Sequence, residues 1–285
     1  MKTIINLVLI TLCSMSFGQS KAIKKFSLED QQFIGTKLEQ AQYLLKKVKP
    51  MGIVSKQDAM LPQFIESLMT DEVAIPAIFK INMYLESKNL EYDHVGGSVL
   101  DDLSHNAKGS QAKYFIIHDT STPNFLKRDF PDYINEDSWK QNNVEVRWKH
   151  RKGPHAFVGR TGKIFFPIEF SSAYRATKFE FKALGKSISR GLFIHIELVQ
   201  PRKSKSGKWR DNDIIAPDPG FTTDQYQKLA LLYICASIRV KNWLVPGYHA
   251  VLDQGIKNGH DDPQNFDLET FSAEIKTMLS AIEEY

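Results

Sequence analysis

The feature that most constrains the fold is a strand-like segment at residues 191–199, which reads Gly-Leu-Phe-Ile-His-Ile-Glu-Leu-Val. Side chains alternate between the two faces of a strand. One face is therefore wholly apolar, whereas His195 and Glu197 lie on the other. Burying an unpaired carboxylate or imidazole costs several kcal/mol. These two groups must consequently be paired, bound to a metal or directed into a cleft.

The rest of the C-terminal half mixes strand and helix patterns. Residues 112–118 form an apolar, β-rich run, and residues 155–166 read as a hairpin with a Thr161-Gly162 turn. A long helix is predicted from Thr222 or Thr223 to about Val240, and a final helix over 268–282. This mixture predicts an α/β domain over residues 108–285.

The N-terminal residues 1–18 have the layout of a secretory signal peptide. Lys2 precedes the apolar run 7–13, and Ser16-Phe17-Gly18 places small residues where a signal peptidase reads. The run is too short to span a bilayer comfortably, and we expect no transmembrane segment in the mature chain. Export to the periplasm, cell envelope or medium is predicted. Removal of the leader takes away Cys13 and leaves Cys235 alone, so no internal disulfide is expected.

Residues 19–107 are predicted to form a helical extension that packs on, or positions, the next domain. The first helix is expected to begin at the Ser27-Leu28-Glu29-Asp30 cap and to end at Lys49-Pro50. Further helices are predicted over about 57–69 and 75–88. The chain has 37 basic and 33 acidic residues, so its formal net charge is only +4. This small excess does not favour a nucleic-acid partner.

Two histidines, an aspartate and a glutamate are the candidates for catalysis. His118 ends an apolar strand, His249 follows the long helix, Asp262 lies in a polar loop and Glu197 lies within a strand. Taken singly, a strand-end histidine is more often structural, and an aspartate before proline is usually part of a turn. Together they fit a catalytic zinc site, which takes three protein ligands, leaves one position for water and needs a separate carboxylate to manage the proton of that water.

Five stretches, in this order, resemble the zinc-dependent N-acetylmuramoyl-L-alanine amidases of the AmpD and phage-lysozyme type, which share a fold with peptidoglycan recognition proteins. The resemblance covers about residues 110–285 and rests on Tyr-Phe-Ile-Ile-His-Asp-Thr-Ser (114–121), His-Ala-Phe-Val-Gly-Arg-Thr-Gly-Lys-Ile (155–164), Ile-His-Ile-Glu-Leu-Val (194–199), Tyr-His-Ala-Val-Leu-Asp (248–253) and Asp-Asp-Pro-Gln-Asn-Phe-Asp (261–267).

The resemblance implies a mixed central sheet flanked by helices, with one zinc ion in a groove at one side. It places the zinc ligands at His118, His249 and Asp262 and the catalytic glutamate at Glu197. His155 would lie behind the ligands or contact substrate. The implied reaction is hydrolysis of the amide between the lactyl group of N-acetylmuramic acid and L-alanine in peptidoglycan or muropeptides.

The chain departs from the family pattern in three places. His260 stands where the family usually has a lysine, and we expect it to help hold the oxyanion, which it can do when protonated or as a neutral donor. Arg175-Ala176-Thr177-Lys178 replaces a Trp-His segment. His195 occupies a position that is usually glycine; it is either a satisfied sheet histidine or a group that contacts Glu197 or the substrate groove.

Other functional classes remain as alternatives. A recognition protein of the same fold would bind muropeptides without cutting them, although such proteins commonly lose the third metal ligand. A zinc peptidase is less favoured because no H-E-x-x-H motif is present, and a serine or cysteine hydrolase because no G-x-S-x-G elbow occurs.

Overall fold

The structure is a computed structural model that describes residues 20–204, 206 and 214–285, so the predicted signal peptide lies outside the described residues. The N-terminal part contains strands β1 (Phe26–Ser27), β2 (Gln32–Phe33), β3 (Val48–Lys49) and β4 (Ile53–Val54), and helices α1 (Lys37–Leu44), α2 (Gln63–Met69) and α3 (Ile78–Ser87). Short 3-10 turns at Ala22–Lys25, Pro50–Gly52 and Tyr92–Val95 connect them.

The remaining elements alternate strands with helices. They are β5 (Tyr114–Asp119), α4 (Val144–Trp148), β6 (Ala156–Val158), β7 (Ile164–Phe165), α5 (Lys186–Ser189), β8 (Phe193–Leu198), β9 (Lys203–Ser204), β10 (Ile214–Ile215), α6 (Thr223–Arg239), β11 (Val245–Tyr248), α7 (His249–Leu252) and α8 (Leu268–Glu283). A π-helical turn at Phe179–Ala183 and 3-10 turns at Asp132–Asn135 and Lys140–Asn142 complete the set. Within the described ranges, no helix combines the length and apolar character needed to cross a membrane.

The centre of the molecule is a five-stranded sheet in the order β11-β5-β8-β6-β7. The first four strands are parallel to their neighbours, and β7 joins β6 as an antiparallel hairpin. Helix α6 packs on this sheet and α8 packs on α6. The prediction of an α/β fold with a mixed central sheet flanked by helices is confirmed. Burial of both faces of β5 and β8 explains why their sequences are nearly continuous apolar runs.

The predicted helix over 27–49 is wrong at both ends, because α1 ends at Leu44 and Val48–Lys49 form strand β3. Residues 26–33 form a small antiparallel hairpin, and α1 begins only at Lys37. Thr36 is the N-cap: its side chain accepts from the backbone N–H of Glu39, and the Glu39 side chain accepts from the backbone N–H of Thr36. This complete capping box outcompetes the Ser27 cap, whose hydroxyl instead donates to Asp30 within the hairpin turn. Helices α2 and α3 lie inside their predicted ranges but are shorter.

The N-terminal part shares one hydrophobic core with the sheet. Helix α1 lies against β11, where a side chain at Gly247 would come within 3.0 Å of Leu44 Cβ. The hydroxyl of Tyr114, on β5, donates to the Gln40 side chain and accepts from the backbone N–H of Phe33. Apolar residues 22–103 and the strand residues belong to the same buried cluster. The segment therefore completes the core at the β11 side of the sheet.

Because of this shared core, we expect Leu44→Ala to lower the free energy of unfolding by about 2–5 kcal/mol, the usual range for truncating a buried leucine. Chemical denaturation should show one transition for the whole chain. The control is Leu100→Ala, since Leu100 is 65% exposed and should change stability by less than about 0.5 kcal/mol. A separate early transition for the N-terminal part, with the main transition unshifted, would contradict the shared core.

Candidate metal centre

The pairing of β5 with β8 brings His118 beside Glu197. The two strands are parallel, and the register makes His118 and Glu197 direct Cα partners. Partners in adjacent strands project to the same face, so the imidazole and the carboxylate are lateral neighbours at the carboxyl ends of both strands.

The pairing of β11 with β5 brings in the second histidine from the other side. Tyr248 is the partner of Ile117, and His249 follows it as the first residue of α7. Asp262 reaches the same edge from the loop before α8. Its backbone carbonyl accepts from Ala250 N–H at 2.8 Å, and its Oδ2 accepts from Asp119 N–H at 3.1 Å. Three separate segments therefore converge at one edge of the sheet.

The three side chains face one another closely enough to share an ion. His118 Nδ1 lies 2.9 Å from His249 Nδ1 and 3.8 Å from Asp262 Oδ2, and the His249 Nδ1 to Asp262 Oδ2 distance is 3.2 Å. Ligand atoms at tetrahedral zinc distances lie roughly 3.4 Å apart. All three residues are buried, and as a group they can hold a metal ion. The predicted ligand set is thus brought together.

Burial and the neighbouring charges shift the pKa values of all three side chains in this cluster. Burial lowers the pKa of His249, but the carboxylates of Asp262 and Asp253 outweigh it and raise that pKa well above its ordinary value. Burial raises the pKa of Asp262, but His249 and His260 outweigh it and hold it well below its usual range. The pKa of His118 is lowered by burial and by the facing His249. A metal ion would take the place of the proton on His249, so binding releases a proton.

Glu197 lies beside the cluster, because it is the register partner of His118. Its residue surface is partly exposed, but its Oε2 is buried and has no hydrogen-bond partner among the described residues. Burial, followed by repulsion from Asp262, raises the pKa of this carboxyl well above its ordinary value. An unpartnered acid with a raised pKa in a cluster of this kind is typical of a group that exchanges protons.

Further buried residues orient the ligands. Asp253 Oδ2 lies 3.1 Å from His249 Nε2, and Asp253 Oδ1 accepts from the Phe179 backbone N–H at 2.9 Å. Behind Asp262, Asp119 Oδ2 pairs with the buried Arg202 at 2.5 Å. Burial raises the pKa of Asp119 to about 6 even though Arg202 opposes the shift. Sequence reasoning missed these residues; only the His249–Asp253 spacing of four, one helical turn, signalled a contact.

His195 lies behind His118, and among the described residues it forms no hydrogen bond or ion pair with Glu197. Its Nδ1 is 3.0 Å from His118 Nε2, and its Nε2 is 3.2 Å from Glu180 Oε2. Glu180 Oε2 also accepts from the backbone N–H groups of Ala176 and Thr177 and from the Thr177 hydroxyl. The backbone of Ala176 and Thr177 thus bonds the last member of a series of contacts that runs from His118 through His195 to Glu180. His195 is fully buried; its Nδ1 is bonded to His118, whereas its Nε2 faces the Glu180 carboxylate without forming a hydrogen bond.

His155 is buried behind His195, which agrees with the first of the two alternatives expected for it, a position behind the ligands. It is fully buried; its Nε2 donates to the Ser172 carbonyl at 3.0 Å and its Nδ1 accepts from the His195 backbone N–H at 3.0 Å. Both ring nitrogens are committed, so it offers none to a ligand. Burial, and then the adjacent His195, lower its pKa to about 3.

His260 lies at the rim of the cluster. Its side chain is 53% exposed, and its Nδ1 is 3.5 Å from Asp262 Oδ1. Its ring is tilted over that of His249, with 4.3 Å between centroids. The predicted catalytic position is therefore beside the metal ligands and open to solvent. No family model matches the chain, and neither a curated protein nor a solved structure matches it.

We expect His195→Gln to weaken metal binding about 10–100-fold, the usual effect of removing a group that orients a ligand. His118 must bind an ion through Nδ1, so its Nε2 carries the hydrogen that His195 Nδ1 accepts. Competition with a chromophoric chelator measures the dissociation constant. His155→Gln is the matched control, because that ring is equally buried but bonds only to backbone groups. Equal weakening in both variants would indicate a general packing effect instead.

The depressed pKa of His155 makes stability depend on pH. Unfolded histidine takes up a proton near pH 6.5, whereas the folded group stays neutral to about pH 3. The unfolded state therefore binds more protons below pH 6.5, and this contribution to stability is lost as the pH falls through that window. Between pH 6.5 and 4.5 the parent should lose about 2 kcal/mol more than His155→Gln. Urea titrations of metal-free protein measure the difference; parallel losses would contradict a neutral His155.

Proposed function

We propose that this chain is a zinc-dependent hydrolase that cleaves the amide between N-acetylmuramic acid and L-alanine in peptidoglycan or muropeptides. The observation that carries the proposal is a buried cluster of two histidines and one aspartate, with the unpartnered acid Glu197 beside it at the same sheet edge. This is the arrangement that metal-assisted hydrolysis requires: three ligands, and a separate carboxylate to move a proton.

The resemblance to the amidases supports the choice of reaction. It assigned His118, Glu197, His249 and Asp262 to one centre although they are spread over 145 positions of the numbering. In the structure, the three proposed ligands have donor atoms within 4.8 Å of one another. Such convergence is not expected of residues chosen for unrelated structural reasons.

The donor set supports zinc as the ion. Two imidazole nitrogens and one carboxylate oxygen suit zinc, and three protein ligands leave a position free for the reaction. Cys235 does not compete as a ligand, because it is buried within α6. When bound, the ion supplies Lewis acidity that polarises a carbonyl and acidifies water.

The protein residues would then handle the protons and charge. Glu197 accepts a proton from the attacking water and returns it to the departing amine, a use for which its unpartnered Oε2 leaves it free. A nearby cation lowers the pKa of a carboxyl, so Glu197 would act as a base nearer neutral pH when His118, His249 and Asp262 hold an ion. His260, exposed at the rim, donates to the carbonyl oxygen as negative charge develops there. The expected leader at residues 1–18 would bring this activity to the cell envelope.

The test is mass spectrometry of muropeptides after incubation with zinc-loaded and zinc-stripped protein. The loaded parent should release free stem peptide, and stripping or Asp262→Ala should abolish release together with zinc binding. Glu197→Gln should retain stoichiometric zinc and lose about 10²–10⁴ in turnover, the range for removing a general base.

Each outcome separates the hydrolase from the alternatives. Full turnover in Glu197→Gln would contradict the base role. Zinc-independent binding of muropeptides with no cleavage by the parent would favour the recognition protein. Cleavage at a bond within the peptide, rather than at the lactyl amide, would indicate a zinc peptidase.

A further inference from the structure

The N-terminal part reaches the candidate metal centre through a short hairpin. Strands β3 and β4 pair antiparallel, and the 3-10 turn Pro50–Gly52 joins them; we call these three residues the hairpin tip. The hairpin tip packs against β10 and against the segment that carries Asp262, residues 260–264, which we call the ligand loop. A segment that the amidase resemblance does not cover therefore touches the loop that supplies the third proposed ligand.

Gly52 meets the ligand loop with no room for a side chain. Its φ is +69°, and a Cβ atom at this position would lie 2.0 Å from Asp261 Cβ and 3.0 Å from Asp261 Cα. Cβ atoms in proteins essentially never approach another heavy atom closer than 3.0 Å. Glycine is therefore required here twice: it adopts the left-handed backbone conformation, and it lets the hairpin tip lie directly against Asp261.

Hydrogen bonds fix the ligand loop on its other sides. The backbone N–H of His260 donates to Asp253 Oδ2 at 3.2 Å, and Nε2 of the buried Gln264 donates to Asp261 Oδ2 at 3.0 Å. The same Gln264 nitrogen lies 3.4 Å from a backbone carbonyl of β10, to which it donates. Because β10 also packs against the hairpin tip, the tip, β10 and the ligand loop form a closed set of contacts around Asp261.

The closeness of Gly52 to Asp261 matters because Asp261 is the chain neighbour of Asp262. To bring a Cβ atom at position 52 from 2.0 Å to 3.0 Å, the hairpin tip and the ligand loop would have to separate by about 1 Å. Metal–ligand distances tolerate only about 0.2 Å, and functional groups must be held within about 0.5 Å of their productive geometry. A displacement of that size would take the Asp262 carboxylate out of reach of an ion shared with His118 and His249.

We propose that the hairpin tip, through Gly52, positions Asp262 for metal binding. This inference rests on the proposed function and deepens it: the N-terminal part is a component of the metal centre as well as of the core. Gly52 is a positioning residue, because it acts through Asp261 and Asp262 and touches neither the ion nor a substrate.

Competition between Gly52→Ala and a chromophoric chelator tests the proposal. We expect the zinc dissociation constant to rise about tenfold or more, the effect of losing a group that orients a ligand. Gly109→Ala is the matched control: Gly109 has a φ of +83°, but apart from its chain neighbours no heavy atom of the described residues lies within 4 Å of its Cβ position. This control has comparable backbone strain without the contact. It should lower the urea midpoint of the metal-free protein and leave the zinc dissociation constant within about threefold of that of the parent.

Asp261→Gly provides a second test, because it removes the Cβ atom that the new methyl group would meet. The double variant Gly52→Ala/Asp261→Gly should bind zinc within about threefold of Asp261→Gly alone, as expected when one contact couples two sites. Three results would overturn the positioning role: unchanged affinity in Gly52→Ala, an equal loss in Gly109→Ala, or a loss that Asp261→Gly does not relieve.

Zinc binding and muropeptide digestion by the parent keep this result separate from the proposed function. A parent that binds zinc as tightly as Gly52→Ala does rejects the positioning role alone. A parent that binds zinc, depends on Gly52 as expected and releases no stem peptide rejects the hydrolase alone. A parent that binds no zinc rejects both.

Discussion

The rest of the site depends on the parallel register of three strands. Because β5 pairs with β8 on one side and with β11 on the other, His118 lies directly between Glu197 and His249. Parallel strands end at the same edge, so polar groups at their carboxyl ends meet without any local motif. A shift of one residue in either register would turn His118 or Glu197 to the opposite face and dismantle the centre.

Several ionisable side chains are buried at this edge of the sheet. Pairing with oppositely charged or hydrogen-bonding side chains offsets the cost of removing them from water. Asp253 faces His249, Glu180 faces His195, and Arg202 pairs with Asp119 behind Asp262. Each partner limits the orientation of the group that it contacts. Some atoms of these groups are nevertheless buried without hydrogen bonds among the described residues: Glu197 Oε2, Asp262 Oδ1, Glu180 Oε1, His195 Nε2 and Arg202 Nε. Natural cores seldom leave such atoms unpaired, and those that do so are often functional.

The residues around the candidate metal centre are either buried within the sheet or exposed at its edge. His155 and His195 are sealed inside the sheet by backbone and side-chain bonds. His260 is exposed to solvent at the edge of the cluster. Metal-assisted hydrolysis would need buried residues that orient the metal-binding side chains and exposed residues that can contact a substrate.

The sequence alone determined the α/β class, the main strands and helices of residues 108–285 and the four residues that converge. Apolar alternation and the buried polar residues of 191–199 are local properties of the chain, as are the Thr222 cap and the amphipathic pattern of α6. The capping box that starts the first helix at Thr36 rather than Ser27 is a local pattern, Thr-x-x-Glu over residues 36–39, that the sequence prediction overlooked. Only the tertiary structure decided that His195 lies behind His118 and that Glu180 and Arg202 support the ligands. Those outcomes depend on contacts between residues up to 83 positions apart, and no local pattern encodes which distant group will neutralise a buried charge.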